Sequence, residues 1–243
     1  MEEMIALINW LQHIRTADGN HFGPKAANLG ELIRIGVPVP NGFVFSDPSP
    51  WGYYDLIRNY QQLGGGRVAV RSSAIAEDLD DASFAGHYDT YLNVEGDDDV
   101  IVAVKKCFVS IDNQVAVDYR NAHGITNRDM AVLIQKMIPA EYAGVMFTKN
   151  PVTNNSNQIM IESVRGLGEK LVAGKVNPEN YLLDKDTGEN ISIPSDGMLH
   201  PSHLSQLIDY GIQIEQHYEC PQDIEWGIAN GVVWIMQTRP ITT

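Results

Sequence analysis

Four polar side chains near the end of the chain alternate so that they line one surface of a predicted β-hairpin. In the segment DIEWGIANGVVWIMQTR, Asp223 and Glu225 share a face of the first strand, and Gln237 and Arg239 share a face of the second. Carboxylate and amide oxygens suit hard divalent cations, and a guanidinium can hold a phosphate through two parallel hydrogen bonds. From the hairpin alone, a solvated charged face is the simpler interpretation of the same pattern.

The length of the hairpin loop decides whether the two polar pairs face the same way. A two-residue loop at 230–231 would place Ile224 opposite Gln237 and would separate the pairs. A three-residue loop at 229–231 would place Asp223 opposite Gln237 and would bring the pairs together.

We expect the three-residue loop for two reasons. It ends with Gly231 where such loops often need a residue in the left-handed region. It also sets Trp226 opposite Trp234 on the reverse, apolar face. On this interpretation Glu225 and Gln237 point the same way from adjacent strands.

Three features in the first third of the chain are typical of groups that hold phosphate. Lys25 follows Gly-Pro at the start of a predicted helix, where backbone N–H groups and an ammonium can bind an anion. Arg71 ends the alternating strand RVAVR, where a guanidinium needs an acidic or phosphate partner. The loop from Ser83 to Gly86 has small residues that could cover a polyphosphate. An exposed lysine, a structural salt bridge and an ordinary surface turn explain these features equally well.

Alternating strands and amphipathic helices must position these residues. Helices are predicted over KAANLGELIRIG, with Pro24 in the first turn and Gly36 at the end, and over residues 97–119 and 201–218. We place a boundary between two lobes near residue 130, with VLIQKMI as the hinge strand. The segment VPVPNGFVFS is predicted as a turn followed by a short strand. Besides the hairpin, further strands are predicted over RVAVR, YLNV, VLIQKMI, AGVMFT and QIMIES.

The composition narrows the class of protein. Thirty-one acidic and 17 basic residues give a net charge of −14, which argues against nucleic acid and anionic membranes as partners. No apolar run approaches the ~20 residues that span a bilayer. Cys107 and Cys220 lie in no CxxC or metal-ligand spacing, so we expect buried apolar roles for both and a cytoplasmic protein.

Seven segments stand in a characteristic order along nearly the whole chain. They are GPKAANLGEL, VPVPNGF, AVRSSAIAEDLDDASFAGHYDTYLNV, LIQKMI, AGVMFT, GLGEKLVAGKVNPENY and DIEWGI…WIMQTRP. Together they resemble the nucleotide-binding domain of phosphoenolpyruvate synthase, which also occurs in pyruvate, phosphate dikinase and in rifampin phosphotransferase. The resemblance implies an α+β, ATP-grasp-like fold. Its two lobes, 1–130 and 131–243, would have mixed or antiparallel sheets that close over the nucleotide.

The resemblance also implies roles for residues of the first lobe and the hinge. Lys25 and Arg71 match residues that contact the nucleotide phosphates and are the implied catalytic cations of this lobe. Gly86 and Thr90 match a loop that covers the triphosphate. A further three residues match the hinge strand, which reads adenine largely through backbone groups: Gln135, Met137 and Ile138.

The closing hairpin completes the implied site. Glu225 and Gln237 resemble the magnesium ligands, Arg239 resembles a catalytic phosphate clamp, and Asp223 accompanies them. The implied cofactors are ATP and Mg²⁺. Phosphoryl transfer needs mainly cations that offset phosphate charge and groups that hold the line of attack, which this set supplies.

Two departures from the family pattern bear on function. Pro24 stands where a second glycine is usual, so one potential N–H donor to phosphate is absent. The connector from Phe45 to Val68 is much shorter than the usual helical insert.

None of the seven histidines lies in a segment that resembles the phosphohistidine carrier of the full-length enzymes. His200 and His203 resemble residues around a helix start, and His21, although near Lys25, is the less favoured acceptor. We therefore expect a phosphotransferase component that passes a phosphoryl group from ATP to a histidine on a separate carrier domain or protein. The alternatives are a kinase acting directly on a small molecule or side chain, and a non-catalytic ATP-binding sensor.

Overall fold

The computed structural model describes residues 8–75, 78–79, 82–83, 89–168, 171 and 174–241 of the chain. In these residues the chain has an α+β fold that divides into two compact units, each built on its own antiparallel sheet. The first unit lies within residues 1–35 and 40–137. The second lies within residues 36–39 and 138–243.

The first unit has a five-stranded sheet in the order β1-β2-β7-β3-β6, in which every neighbouring pair is antiparallel. Its strands are β1 (Ile8–Trp10), β2 (Gly42–Phe45), β3 (Val68–Ala74), β6 (Thr90–Val94) and β7 (Met130–Lys136). The short strands β4 (Asp78–Leu79) and β5 (Ala82–Ser83) pair with each other. The helices are α1 (Gly19–Arg34), α2 (Gly52–Leu63), α3 (Asp97–Ser110) and α4 (Gln114–Ala122), and 3₁₀ turns cover Leu11–His13 and Thr16–Asp18.

The central position of β7 explains where the two units divide. Every residue of β7 except Lys136 is buried, as its nearly continuous apolar sequence requires of a strand with neighbours on both sides. The hinge strand is thus part of the first sheet. The change to the second unit follows Met137, rather than falling near residue 130 as expected from the sequence.

Helix α1 begins with a break that the sequence partly predicts. Gly23 has φ 78°, outside the helical region, so the regular helix starts at Pro24, and Gly36 follows the helix with φ 85°. Proline at the first turn and a left-handed glycine beyond the end are the expected signals. Gly23 lies so close to β3 that a Cβ there would be 2.6 Å from the carbonyl oxygen of Ser73. Only glycine allows this approach.

The second unit has a six-stranded antiparallel sheet in the order β11-β10-β9-β8-β12-β13. Helix α5 (Pro201–Tyr218) packs against β8, β12 and β13. The strands are β8 (Tyr142–Phe147), β9 (Gln158–Arg165), β10 (Glu179–Asp184), β11 (Asn190–Ser192), β12 (Gln222–Ala229) and β13 (Val232–Pro240).

The loop of the closing hairpin has two residues, so the predicted three-residue loop is wrong. Ala229 pairs with Val232, which leaves Asn230 and Gly231 as the loop. Both have positive φ, 52° and 74°. This is the conformation of a type I′ turn, whose twist matches that of the flanking strands, and asparagine followed by glycine is the sequence that tolerates it best.

A β-bulge nevertheless brings the polar pairs onto one face. Glu225 pairs with Gln237, whereas the next residue, Trp226, pairs with Ile235, so Met236 is an extra residue in β13. One inserted residue reverses the in-out alternation beyond it, and this cancels the shift caused by the shorter loop. The predicted common orientation of Glu225 and Gln237 thus holds, although through a different device.

The predicted pairing of the two tryptophans is wrong for Trp234. Trp226 is buried on the face that also carries Ile224 and Ile235, but Trp234 lies opposite Gly227 on the same face as Glu225. The bulge comes after Trp234, so the polar segment changes face and the tryptophan does not.

Among the described helices, none has the length and apolar character that a membrane span requires.

Trp226 packs over Gly144, its neighbour on β8, and this contact makes Gly144→Ala a test of the sheet. A Cβ there would overlap the backbone carbonyl of Glu162 and lie 2.6 Å from Cζ2 of Trp226. We expect Gly144→Ala to lower the free energy of unfolding by about 3 kcal/mol or more, measured by urea denaturation, because backbone atoms cannot easily move aside. Gly168→Ala is the control, since its nearest new contact is an ordinary 3.6 Å from Ala143. Equal midpoints for the two variants would contradict the register of β8.

Candidate functional site

The polar face of the hairpin forms two adjacent rows of side chains. Glu225 lies opposite Gln237, and Asp223 lies opposite Arg239. Arg239 donates from Nε and Nη2 to Oδ2 of Asp223 at 2.9 and 2.6 Å. The four residues predicted from the sequence are therefore together on one surface of the second unit.

The pKa of Asp223 is raised although its carboxylate is paired with the guanidinium of Arg239. Burial raises the pKa of Asp223 above its ordinary value, and the negative charge of Glu225 raises it further, although Arg239 lowers it. Desolvation thus outweighs the ion pair. The carboxylate contributes to the orientation of Arg239 rather than to the stability of the fold.

A third carboxylate, missed in the sequence, shares this face. Glu162 on β9 lies opposite Val145 on β8, and Val145 lies opposite Glu225. Burial and then the charge of Asp223 raise the pKa of Glu162. The alternation within QIMIES already separates Glu162 from the buried Ile159 and Ile161. What the sequence lacks is the pairing that carries this strand beside the hairpin.

An apolar surface lies beside the polar rows of side chains. It includes Ile138 and Ala140, which closely follow the hinge strand in the chain. A Cβ on Gly227 would be 3.2 Å from Cδ1 of Ile138, 3.3 Å from Cε of Met236 and 3.7 Å from Cβ of Ala140. Ile138, Met236 and Ala140 therefore pack closely over Gly227, and these apolar side chains form a small patch beside the polar rows. Ile138 was predicted as a site residue, but Met236 was assigned to the opposite face. Met236 lies on the face of Gly227 because it follows Trp234, which pairs with Gly227, by two residues.

In the first unit the structure brings the two predicted cations to the same strand. Nζ of Lys25 donates to the carbonyl oxygen of Ser72 at 3.2 Å, and Ser72 follows Arg71 on β3. The start of α1 is held there by Ser73, whose hydroxyl donates to the carbonyl of Phe22 at 2.7 Å. The close approach at Gly23 therefore fixes where the Lys25 ammonium lies.

The other residues predicted for the first unit differ in what the structure shows. Thr90 is exposed on the edge strand β6 and pairs with Arg71, whereas Gly86 lies outside the described residues. Gln135 is buried and donates its amide to the carbonyl of Pro40 at 3.2 Å. The backbone N–H of Met137 donates to the carbonyl of Arg67. Gln135 and the N–H of Met137 thus serve the fold of this unit.

The expected buried apolar role is confirmed for Cys107 but not for Cys220, which is half-buried and accepts a hydrogen bond at Sγ from the amide of Gln222. Cys107 is buried, which raises the pKa of its thiol to about 12, and neither cysteine is in a disulfide. His200 caps α5 by accepting from the backbone N–H of Ser202 at 3.2 Å. Within the part of the chain described, no three His, Cys, Asp or Glu side chains converge as a metal cluster.

Solved structures establish the fold. The chain resembles D-alanyl-alanine synthetase A of Vibrio cholerae with a TM-score of 0.52 at 10% identity, covering 93% of this chain and 56% of that one. Acetyl-coenzyme A synthetase 1 of Ca. Korarchaeum cryptofilum also gives a TM-score of 0.52 at 10% identity, covering 88% and 90%. At such low identity these similarities carry the fold alone, which is ATP-grasp-like.

The sequence identifies the family. Residues 51–196 and 189–243 match the family described as the AMP/ATP-binding domain of pyruvate phosphate dikinase, and the chain belongs to it. A probable phosphoenolpyruvate synthase of Pyrococcus horikoshii is 41% identical over 100% of this chain and 34% of its own length. That of Archaeoglobus fulgidus is 35% identical over 96% of this chain and 41% of its own length. The prodigiosin synthesizing transferase PigC of Serratia marcescens is 34% identical over 94% and 32%.

The chain is therefore much shorter than these relatives and spans between 32% and 41% of their lengths. The alignment with the Pyrococcus horikoshii protein runs over 284 positions, more than the 243 residues present here. That relative therefore has residues inside the matched region that this chain lacks.

The raised pKa of Asp223 leads to an asymmetric prediction for its pair with Arg239. Asp223→Asn removes a charge whose burial is unfavourable, so we expect the free energy of unfolding at neutral pH to change by less than about 1 kcal/mol. Arg239→Ala leaves the buried carboxylate without its guanidinium, and we expect a loss of about 1–3 kcal/mol. Urea denaturation of both variants measures the difference. A larger loss for Asp223→Asn than for Arg239→Ala would show that the pair is mainly structural.

Proposed function

We propose that this chain binds MgATP and passes a phosphoryl group from it to a histidine on a separate carrier domain or protein. The observation that carries the proposal is the bulged register of the hairpin, which places Glu225 and Gln237 beside the Asp223–Arg239 pair. Two oxygen ligands and an oriented guanidinium on one surface match the requirements of a metal-bound polyphosphate. Membership in an AMP/ATP-binding domain family supports the nucleotide.

The residues of this face fit a magnesium ion. Mg²⁺ is usually held by one or two carboxylates together with waters and substrate phosphates, so it needs no cluster of three acidic side chains. Glu225 and Gln237 are the residues that would hold it. When bound, the ion offsets negative charge on the phosphates.

The protein's own cations would complete the charge balance on the phosphates. Asp223 presents Arg239 in a defined orientation, so its planar group can hold two phosphate oxygens at once. On the first unit, Lys25 and Arg71 are the cations proposed to contact nucleotide phosphates, and Thr90 pairs with Arg71. Ile138, whose side chain packs with Met236 over Gly227, would contact the adenine ring.

A separate acceptor follows from the histidines. In sequence none of the seven resembles a phosphohistidine carrier, and His200 is engaged in capping α5. A direct kinase or an ATP-binding sensor are the alternative functions, because Pro24 removes one N–H from the lysine motif. A cytoplasmic location for the phosphotransfer remains part of the proposal.

The first expected result is a magnesium-dependent response to ATP. A ligand that binds only the folded state raises the melting temperature by mass action. We expect millimolar ATP with Mg²⁺ to stabilise the chain more than ATP with a chelator, since phosphate charge on this acidic face needs the ion. Thermal-shift titration measures both, with GTP as the comparison nucleotide. An absence of any response to ATP under either condition would refute the nucleotide site.

Arg239→Lys then separates an enzyme from a sensor. The lysine keeps the charge but loses the two-pronged contact, so we expect turnover to fall by about 10²-fold, the scale for loss of one preorganised donor. ATP affinity should change much less, because Lys25 and Arg71 remain. Turnover is measured with ATP labelled at the β and γ phosphates, with carrier domains of related enzymes, by recovery of labelled protein and of AMP or ADP.

The control for this measurement is an arginine in the first unit, which is not part of the hairpin. Arg58→Lys makes the same chemical change on the surface of α2, where Arg58 pairs with Asp55, and should leave turnover unchanged. Equal rates for Arg239→Lys and wild type would exclude a catalytic role for Arg239. A wild-type chain that binds ATP but transfers nothing to any carrier would favour the sensor.

A further inference from the structure

Glu162 lies in line with the two proposed magnesium ligands. The row runs from Glu162 through Val145 and Glu225 to Gln237, across β9, β8, β12 and β13. Neighbouring strands are about 4.8 Å apart, so the α-carbons of Glu162 and Glu225 are separated by about 10 Å. Val145 between them is short. The two glutamate side chains therefore flank a space above Val145.

Glu162 adds a carboxylate to a face that already carries two others. Glu162, Asp223 and Glu225 place three carboxylates on the face, and Arg239 is the guanidinium bonded to one of them. Within the described residues, the Glu162 carboxylate has no hydrogen-bonded or ion-paired partner. Burial and the nearby Asp223 both disfavour its charge. A partly buried carboxylate in this setting gains most from a cation.

A carboxylate at this position acts oppositely on the two components of a metal–nucleotide complex. It attracts a divalent cation, but it repels the phosphates unless a cation lies between them. A carboxylate that only supported the sheet would affect both components alike, through the stability of the fold. The two roles can therefore be separated by measuring metal and nucleotide affinity independently.

We propose that Glu162 supplies a further carboxylate oxygen to the divalent cation that accompanies the nucleotide, from the side of Val145 opposite Glu225. The proposal rests on the MgATP function proposed above. It adds a ligand from β9 to the two from the hairpin, so that the cation is held from both sides of β8. Waters and phosphate oxygens complete the octahedral shell that a magnesium-sized ion prefers.

The test uses Mn²⁺ as the probe, with the intact chain and a non-hydrolysable ATP analogue. Free Mn²⁺ is followed by electron paramagnetic resonance, and metal-free analogue binding is measured in EDTA by calorimetry. We expect Glu162→Gln to raise the Kd for Mn²⁺ in the presence of the analogue by about tenfold, the lower end of the range for loss of a supporting metal partner. Affinity for the analogue in EDTA should be equal to that of wild type or higher.

Two variants keep the result interpretable. Glu189→Gln makes the same change at an exposed position between β10 and β11 and should behave as wild type in both assays. Glu162→Asp retains the charge and should lie between wild type and Glu162→Gln in Mn²⁺ affinity, so it serves if the glutamine variant does not fold.

The outcomes distinguish this proposal from the one on which it rests. Suppose that the wild type binds the Mn²⁺–analogue complex and that Glu162→Gln has the same Mn²⁺ affinity. This result would overturn the role of Glu162 and leave the MgATP function standing. Equal weakening of metal-bound and metal-free analogue would show a structural role only. A wild-type chain that binds no analogue with or without Mn²⁺ would overturn both proposals.

Discussion

One extra residue in the last strand determines the chemistry of the second unit. The Asn230-Gly231 turn by itself would set the polar residues of β13 on the face opposite those of β12. The bulge at Met236 reverses the alternation between Ile235 and Gln237, so Gln237 lies beside Glu225. Met236, which packs against Gly227, lies on this same surface, so a polar row and an apolar patch adjoin.

The face that results is held together by packing rather than by its charges. Trp226 is buried on the reverse face, above a glycine on β8 that permits close contact, and Ile224 and Ile235 are buried with it. On the polar side, desolvation raises the pKa of both Asp223 and Glu162. Acidic groups at this level of burial are unfavourable for the isolated fold, and such strain is common where a ligand is to be bound. Burial of the apolar side chains on the reverse face offsets this unfavourable contribution to the free energy of folding.

The first unit carries the two predicted cations, Lys25 and Arg71, in a protein whose net charge is −14. Lys25 and Arg71 come from segments far apart in sequence. Because Gly23 allows α1 to approach β3, Lys25 bonds to the carbonyl of Ser72, the residue after Arg71. The bond from Ser73 to the carbonyl of Phe22 fixes that approach. A local pair of cations can thus act on phosphate although the overall field is repulsive.

The sequence by itself determined the family, through seven segments in a fixed order, and most of the strands, through alternation that depends only on neighbours along the chain. It also determined the helix start at Pro24 and the identity of the polar residues of the hairpin. Only the tertiary structure decided how strands align with one another. A bulge leaves no signal in IMQTR, so the sequence could not show that the two-residue loop is compatible with a shared polar face, or on which side Trp234 lies. Glu162 and the boundary after Met137 were missed for the same reason. Both depend on which strands become neighbours, and that is a matter of contacts between residues distant in the chain.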